Sequence, residues 1–505
     1  MSEPDDRREP EAWWFLLGLF LVTAASLAVE VLITRLLSVV TWYSLAFLVL
    51  AMGMFGLTAG AVRVYLTPED YRPGRLGASL ARDARRFALA VPVSYVLLLL
   101  VPLRVEPVAT TVPLFLLFGA IVALPFVPAG QVVSAALTKS PLPTGRVYAF
   151  DLAGAALGAP LVPELLERTS LGTAVLLVAA LAAGGAAAFA RSVSDAVWLR
   201  RSTIAALGLV LAAGLNGSSL HGLVTVWAKG RAEDRSQVEA ELWNSHSRVQ
   251  VSKLGRMPAS LWGGGKKCSP PLVRQRTIMI DADASTPLYA PERGLDDLGF
   301  LDCDVTNVVH QLRPGGAMAI IGVGGSRDLQ AALRHGHDPV VGIELNRRLL
   351  EILEGPYGAQ TGVPTNPAVR LVHDEARSYL SRTQQKFRVI QASLIDTWAA
   401  TGAGAHALGE NGLYTVEAWR TFLDRLDDDG VATMSRWSSG ETVRLVAVAS
   451  AALLERGEPR ARPHMALVQS GAVTTLIVGK RPLTAADGEA LRRVADDKGF
   501  VVLLG

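Results

Sequence analysis

Residues 317–345, AMAIIGVGGSRDLQAALRHGHDPVVGIEL, decide the fold of the second half of the chain. An apolar run leads into a glycine cluster at Gly322, Gly324 and Gly325, an apolar-periodic segment follows, and a second apolar run ends in Glu344. This order predicts a strand, a glycine turn, a helix and a second strand that ends in an acid. Strands that alternate with helices in this way are typical of an α/β domain with a parallel sheet.

The glycine turn and the acid have the spacing of a nucleoside-cofactor site. Glycines let backbone N–H groups approach a ligand at a helix N-terminus, and an acid about twenty residues further on can accept hydrogen bonds from ribose hydroxyls. Arg327 stands where the dinucleotide pattern G-x-G-x-x-G has its third glycine. The pattern therefore favours a single-nucleoside donor of the S-adenosylmethionine type over NAD. An ordinary tight turn in an α/β domain is the alternative interpretation.

Composition divides the 505 residues into two parts. Long blocks of Leu, Ala, Val and Gly predominate from Trp13 to about Leu220, and charge returns to the level of a soluble protein from about residue 229. We predict a transmembrane helical domain at 1–220, a linker with a small β element at 221–312, and a Rossmann-like domain of the methyltransferase type at 313–505. The net charge of +3 and the lack of a basic tract interleaved with aromatics predict no nucleic-acid partner.

Cysteine usage and the N-terminal segment give two further expectations. Cys268 and Cys303 are far apart and lack metal-ligand spacing, so we predict neither a disulfide framework nor a metal site. Acids and arginines precede Trp13, and no small-residue cleavage site cleanly follows the apolar stretch. This pattern indicates a retained first span and not a signal peptide.

The first part of the chain has the pattern of a membrane bundle. A bilayer core requires about twenty apolar residues per helix. Seven segments meet that rule, at 13–34, 43–62, 87–103, 111–137, 147–163, 171–190 and 203–220. Gly56 and Gly60, and again Gly154 and Gly158, have the small-xxx-small spacing that lets helices approach closely. We therefore expect about seven packed helices in a lipid bilayer.

Basic residues are concentrated in alternate loops of this bundle. Six arginines lie between Arg63 and Arg86, whereas the loops of the other side contain only Arg35, Arg104 and Arg168. The positive-inside rule places the N-terminus in the cytoplasm, and seven complete spans would leave the second half of the chain outside. Nucleoside donors are cytosolic, however. We therefore expect the C-terminal domain in the cytoplasm, with one weak segment re-entrant, interfacial or misassigned.

Further strands extend the sheet around the quoted stretch. Strand candidates lie at 241–253, 274–281, 369–373, 387–393, 431–435, 465–468 and 473–478, with helices at 301–312, 415–426 and 485–496. Ligands of open α/β sheets bind at the carboxyl ends of strands, so Asp374 and Asp396 are expected in the site. A solvated strand end is the alternative for Asp374. The Gly/Ala-rich stretch 399–409 is typical of a mobile lid, with His406 and Glu410 as second-rank candidates.

With these residues assembled, the stretch from Glu241 to Trp437 resembles the spermidine synthase (aminopropyltransferase) family, within the Rossmann-like S-adenosylmethionine-dependent methyltransferase superfamily. The resemblance rests on GVGGSRD at 322–328, the acid Glu344, HDEAR at 373–377, the acidic loop after the fourth strand and GLYTVEAW at 412–419. SLAVEVLITRLLS at 26–38 and YAFDLAGAALG at 148–158 are similar to segments of bacterial integral-membrane spermidine synthase-like proteins.

The resemblance implies roles for individual residues. It implies that Gly322, Gly324 and Gly325 cradle the donor and that Glu344 binds its ribose. It further implies that Asp374, with its neighbour Glu375, binds the adenine and that Asp396 orients or deprotonates the acceptor. Ser393 occupies the position of a second catalytic acid, Tyr414 is a second-rank catalytic candidate, and Arg327 is a donor-binding candidate because of its charge. The co-substrate would be S-adenosylmethionine or its decarboxylated form. No metal is expected.

The sequence departs from the family pattern at two positions that matter for the donor and the acceptor. Gly325 stands where the family has an acid that binds the amine of decarboxylated S-adenosylmethionine, and Ser393 replaces the first acid of the strand-four loop. Serine cannot substitute for a carboxylate that holds a cation, because it carries no charge. Arg327 adds positive charge beside the turn, which suits the carboxylate of intact S-adenosylmethionine; an arginine solvated on the first helical turn is the alternative.

Three functions are compatible with these patterns. The first is a membrane-integral transferase that alkylates a small-molecule amine or a membrane-associated acceptor, with a homodimer as one compatible assembly. The second is a transporter or channel with a nucleoside- or polyamine-sensing domain, suggested by the intramembrane acids Glu30 and Asp151, although both could be structural. The third is a catalytically inactive binding scaffold, suggested by the missing acids. We predict the first.

Overall fold

The computed structural model describes residues 8–41, 46–103, 108–219, 221–395, 412–437 and 440–504. The described chain groups into two compact units, of which the first ends at Arg248 and the second begins at Val249. The segment predicted as a linker, 221–312, is therefore divided between the two units.

The first unit is helical. Its described helices are α1 (Arg8–Val40), α2 (Ala46–Leu66), α3 (Leu76–Leu100), α4 (Val108–Ala123), α5 (Phe126–Lys139), α6 (Thr144–Arg168), α7 (Leu171–Ser192) and α8 (Ala196–Gly217). Among them α1, α2, α6, α7 and α8 are long and apolar enough to cross a membrane, and a sixth span results if α4 and α5, bent by 40°, count as one. Asp83, Arg85 and Arg86 shorten the apolar part of α3. Seven spans therefore remain a prediction.

Close helix packing explains the small-residue pairs of the sequence. Gly154 and Gly158 of α6 face α1, where a side chain at Gly158 would collide with the carbonyl oxygen of Ala24. Gly56 and Gly60 of α2 face α4 and α5 in the same way. The predicted close approach of helices at both pairs is confirmed.

A short β-containing segment ends the first unit. Its strands are β1 (Trp227–Ala228), β2 (Arg231–Ala232) and β3 (Val238–Trp243). The backbone N–H of Lys229 donates to the carbonyl oxygen of Val40 at the end of α1, with an N–O distance of 2.8 Å. The segment is thereby attached to that end of the helices.

The second unit opens with a small antiparallel sheet. From Val249 onward it contains β4 (Arg248–Ser252) except its first residue, β5 (Gly255–Pro258), β6 (Leu272–Ile280) and β7 (Ala284–Tyr289), and β6 pairs with β4, β5 and β7. The helix predicted at 301–312 is wrong, because two 3₁₀ segments, Leu295–Cys303 and Val305–Gln311, take its place. Asp304 separates them, since its carboxylate accepts from the N–H of Thr306 and starts the second segment.

Cys268 and Cys303 form a disulfide, which contradicts the sequence prediction. The two Cα atoms lie 6.1 Å apart although 35 positions separate them in the chain. The loop before β6 folds back onto the first 3₁₀ segment, where the N–H of Gly265 donates to the carbonyl oxygen of Cys303. Sequence spacing could not reveal this pairing, because the fold of the loop creates it.

An eight-stranded sheet forms the body of the second unit, in the order β10-β9-β8-β11-β12-β14-β13-β15. The strands are β8 (Gly316–Ile321), β9 (His337–Glu344), β10 (Val369–His373), β11 (Phe387–Ser393), β12 (Leu426–Trp437), β13 (Met465–Ser470), β14 (Val473–Gly479) and β15 (Val501–Leu504). The intervening helices are α9 (Arg327–Arg334), α10 (Arg347–Glu354), α11 (Pro356–Ala359), α12 (Ala376–Arg382), α13 (Val416–Arg425), α14 (Gly440–Glu455) and α15 (Ala485–Lys498).

The strand order contains a topological switch point. The chain runs outward from β8 through β9 to β10, returns to pair β11 with β8, and then runs the other way to β12, all in parallel. Ligands of such sheets bind outside the carboxyl ends of the strands at the switch point. The predicted strand, glycine turn, helix and strand are confirmed, and they lie at that point.

Candidate nucleoside-binding site

The glycine turn joins β8 to α9. Gly322 and Gly324 have φ angles of +75° and +48°, which L side chains rarely adopt. Gly325 is required for a different reason, since a Cβ there would collide with the carbonyl oxygen of Pro287 in β7. Its N–H donates to Oγ1 of Thr286 at 3.1 Å. The small sheet thus packs directly on the turn, and this contact leaves no room for an acid at position 325.

Glu344 ends β9 beside the same turn. One carboxylate oxygen accepts from the N–H groups of Val323 at 3.0 Å and Gly324 at 3.4 Å, and the other accepts from Asn346 at 2.8 Å. Burial raises the pKa of Glu344, and this outweighs the opposing effect of the backbone hydrogen bonds. The acid therefore lies where its spacing from the glycines predicts, and it also holds the turn in shape.

Asp374 and Glu375 follow β10 next to Glu344. The N–H of Asp374 donates to the carbonyl oxygen of Glu344 at 3.2 Å, and the Asp374 carboxylate is paired with Arg382. The carboxylate of Glu375 accepts from Arg377 N–H at 2.9 Å and Ser378 N–H at 2.7 Å. Glu375 is thus the N-cap of α12. Donor contacts by these two residues stay predictions.

Arg327 is not the available cation that the sequence hypothesis requires. Its side chain is 1% exposed, so a solvated position on the first helical turn is excluded as well. One guanidinium nitrogen donates to Asp304 at 2.9 Å, and the group lies 4.0 Å from the centre of the Trp262 ring. Burial lowers the pKa of Arg327, but the charges of Asp304 and Asp328 raise it by more than burial lowers it. Arg327 therefore stays protonated. Its charge is neutralised inside the protein.

Two carboxyl groups near the turn, those of Asp304 and Asp328, were not predicted as site residues from the sequence. Asp304 has no distinguishing sequence signal, whereas Asp328 lies within the GVGGSRD motif itself. Burial raises the pKa of Asp328, which outweighs the Arg327 charge and the hydrogen bonds from Ser393 and Gln391. Ser393 ends β11 and accepts from the Gln391 amide at 2.9 Å. Ser393 therefore lies in a buried polar network with an acid from α9.

Of the remaining predicted residues, Tyr414 lies in the described part of the chain. The hydroxyl of Tyr414 accepts from the guanidinium of Arg436 at 2.6 Å, and Arg436 also pairs with Glu441 at 2.6 Å. Asp396, His406 and Glu410 lie outside the described residues, as does the predicted lid at 399–409. Within the described ranges, no group of three or more His, Cys, Asp or Glu side chains is placed to hold a metal ion.

Comparisons with known proteins identify similar solved structures but no family. No protein-family model matches the sequence, and no curated protein matches it either. A spermidine synthase in complex with the transition-state analogue AdoDATO is 13% identical over 50% of this chain and 75% of its own, with a TM-score of 0.33. Spermidine synthase from Thermotoga maritima is 15% identical over the same shares, also at 0.33. A ribosomal protein L11 methylase from Lactobacillus delbrueckii subsp. bulgaricus is 14% identical over 36% of this chain and 78% of its own, at 0.26.

Proposed function

We propose that this protein is a membrane-anchored transferase whose second unit binds an S-adenosylmethionine-type donor at the carboxyl ends of β8, β9 and β10. The proposal depends on one observation, the position of the Glu344 carboxylate 3.0 Å from the N–H of Val323 in the glycine turn. A carboxylate and a glycine turn that adjoin at a switch point have the chemistry to bind ribose hydroxyls and the rest of a nucleoside.

Alkyl transfer from a sulfonium requires in-line placement of the nucleophile and removal of one proton. The acceptor lone pair would attack the carbon attached to sulfur, the C–S bond would break with its electrons on sulfur, and a neutral thioether would leave. Asp396 is the proposed base and Tyr414 a group that orients the acceptor. We propose a small-molecule amine or a membrane-associated nucleophile as the acceptor, because the apolar helices of the first unit would keep the protein at a bilayer.

The buried ion pair changes the expected donor preference. Gly325 offers no carboxylate to the ammonium of the decarboxylated donor, and Arg327 already pairs with Asp304. These residues therefore favour neither the ammonium of the decarboxylated donor nor the carboxylate of intact S-adenosylmethionine. Intact and decarboxylated S-adenosylmethionine should bind with similar affinity.

A binding scaffold without turnover is the second candidate. It is favoured by the contacts of the side chains predicted to bind the donor. The carboxylates of Glu344, Asp374 and Glu375 all have partners within the protein. A ligand would have to share these oxygens or displace their partners. The transporter hypothesis stays a prediction from Glu30 and Asp151.

Calorimetric titration of the full-length protein in detergent tests the proposal. Intact and decarboxylated S-adenosylmethionine are the probes, and Glu354→Gln, at an exposed position on α10, is the control for Glu344→Gln. We expect saturable binding to wild type and to the control and a strong loss with Glu344→Gln. Incubation with amines and a membrane lipid extract then separates the candidates: a thioether product supports the transferase, and binding without product supports the scaffold. No binding of either donor contradicts both.

A further inference from the structure

The two ends of the helical unit can be told apart by contacts between helices. At one end, the guanidinium of Arg85, in the first half of α3, lies 4.7 Å from the ring centre of Trp198, near the start of α8. Gln131 of α5 donates to the hydroxyl of Tyr71, between α2 and α3, at 3.2 Å. We call this the basic end, because the chain segments that meet there are rich in arginine.

At the other end, Asn216 near the end of α8 donates to Thr173 near the start of α7 at 2.9 Å. The hydroxyl of Tyr95, near the end of α3, donates to the carbonyl oxygen of Leu223 at 3.4 Å. Arg35, near the end of α1, lies 5.7 Å from the ring centre of Trp243. Residues 221–248 therefore pack on the end opposite to the basic end, which we call the far end.

Basic residues are distributed unequally between the two ends. The connections at the basic end carry six arginines from Arg63 to Arg86, then Lys139 and Arg146, then Arg191, Arg200 and Arg201. The described sequence at the far end carries Arg35 and Arg168, with Lys229, Arg231 and Arg235 after α8. The excess at the basic end predicts that it faces the cytoplasm.

This assignment does not require a count of spans. α8 alone passes from the basic end, at Trp198, to the far end, at Asn216, so the chain leaves the helical unit at the far end whether or not α3 or the bent pair α4 and α5 crosses the bilayer. The second unit begins at Val249, directly after the segment that packs on the far end. In the described part of the chain from there on, no helix is a candidate span.

The disulfide is an independent observation in the second unit. Cys268 and Cys303 are the two cysteines of the chain, and both are used in the bond. Disulfides form and persist in oxidising compartments and are rare in the cytosol. This observation uses no residue of the helices, and it points to the same side of the membrane.

We infer that the second unit lies on the non-cytoplasmic, oxidising side of the membrane. This placement reverses the expectation that was based on the cytosolic supply of the donor. The ligand of the Glu344 site would then be a nucleoside compound present on that side or exported to it. The inference goes beyond the proposed function and uses none of the residues proposed to bind the donor.

Reporter fusions to the full-length protein test the sidedness in cells. Alkaline phosphatase, active only after export, and a green fluorescent protein that fluoresces only in the cytoplasm are each attached after Gly505. As a matched control, each reporter is inserted between Pro141 and Leu142, in the α5–α6 connection at the basic end. We expect phosphatase activity without fluorescence for the C-terminal fusions and the reverse for the insertions. A fluorescent C-terminal fusion without phosphatase activity overturns the inference.

Thiol trapping supplies a second measurement that needs no fusion. Cells are quenched in acid and the protein is alkylated with a mass-tagged maleimide, with and without prior reduction. We expect no tag before reduction and two tags after it, because Cys268 and Cys303 are joined. Tagging without reductant overturns the inference. Donor titration in detergent does not depend on which side of the membrane the second unit occupies. A failure to bind donor would therefore not contradict the sidedness result, and a cytoplasmic second unit would not contradict donor binding.

Discussion

The guanidinium of Arg327 donates a hydrogen bond of 2.9 Å to the carboxylate of Asp304. Both side chains are buried, at 1% and 0% exposure. The Asp304 carboxylate also accepts from the backbone N–H of Trp262 at 2.7 Å. The pair therefore links the first turn of α9, directly behind the glycine turn, to Asp304, the residue that follows the disulfide-bonded Cys303.

Replacement of Arg327 by Met should strongly destabilise the second unit. The change leaves Asp304 buried without its partner, and breaking a buried pair in this way costs about 3–5 kcal/mol. Thermal unfolding of the full-length protein in detergent measures it. Arg293→Met is the control, since Arg293 is 87% exposed and ion pairs at the surface, such as the one with Asp297, contribute little to stability. Equal melting temperatures for the two variants would show that the buried pair is dispensable.

Glu344→Gln should weaken both the glycine turn and donor binding. The amide keeps one acceptor oxygen but places an NH₂ group where the carboxylate accepts from Val323, Gly324 or Asn346. Leaving a buried donor unsatisfied costs about 1–3 kcal/mol, and each lost charge-assisted bond to ribose about 1.5–3 kcal/mol. The melting temperature and the titrated donor affinity should fall together. Unchanged affinity would remove Glu344 from the site.

Loss of the disulfide should destabilise the second unit around Cys303 and the adjacent Asp304. In the chain-entropy account, a cross-link over 35 positions stabilises the folded state by about 3–4 kcal/mol. Cys268→Ala with Cys303→Ala should lower the melting temperature of the protein under oxidising conditions. The same wild-type protein, once reduced, is the matched reference and should melt close to the double variant. If the double variant melts like the oxidised wild type, the disulfide does not stabilise the fold.

A buried histidine cluster should make the second unit sensitive to mild acid. A ring nitrogen of His310 lies 3.1 Å from one of His337, and the rings of His310 and His335 stack at 4.8 Å. Burial lowers the pKa of His337 from 6.5 to about 4 and that of His310 well below 6.5. The folded state thus binds fewer protons than the unfolded chain. The stability that these neutral rings provide is present above pH 6.5 and is lost as pH falls towards 4.

For His337 alone, the difference between 6.5 and about 4 corresponds to ~3 kcal/mol. Melting temperatures of wild type and His337→Gln between pH 7.5 and pH 4.5 test this prediction. The variant should lose less stability on acidification than wild type. His373→Gln, at an exposed position, should behave like wild type. A pH dependence that is identical in all three proteins would contradict the assignment.

Gly158→Leu should disrupt the packing of α6 on α1. A Cβ at Gly158 would collide with the backbone of Ala24, and overpacking of this kind typically costs about 1–3 kcal/mol. Gly208→Leu is the matched control, because a Cβ at Gly208 on α8 has no neighbour within 4 Å. Thermal stability and monodispersity in detergent should fall for the first variant alone. Equal behaviour of the two would argue against this helix contact.

Local sequence patterns predicted many of the helices and strands of both units. The apolar runs of 317–345, broken by glycines and ended by Glu344, predict β8, the turn, α9 and β9 as the structure has them. The helix predicted at 415–426 is present as α13, and its Trp419 and Phe422 are buried. These features depend on neighbours in the chain, so periodicity and turn chemistry are sufficient to predict them.

Tertiary structure alone decided which charges and thiols meet. Arg327 and Asp304 lie 23 positions apart and belong to different elements, and only the packing of the small sheet on the glycine turn buries them together. The same packing excludes a side chain at Gly325, and the fold of the loop before β6 onto the first 3₁₀ segment joins Cys268 to Cys303. Contacts between distant segments depend on how the elements fold onto one another, and sequence spacing does not record that arrangement.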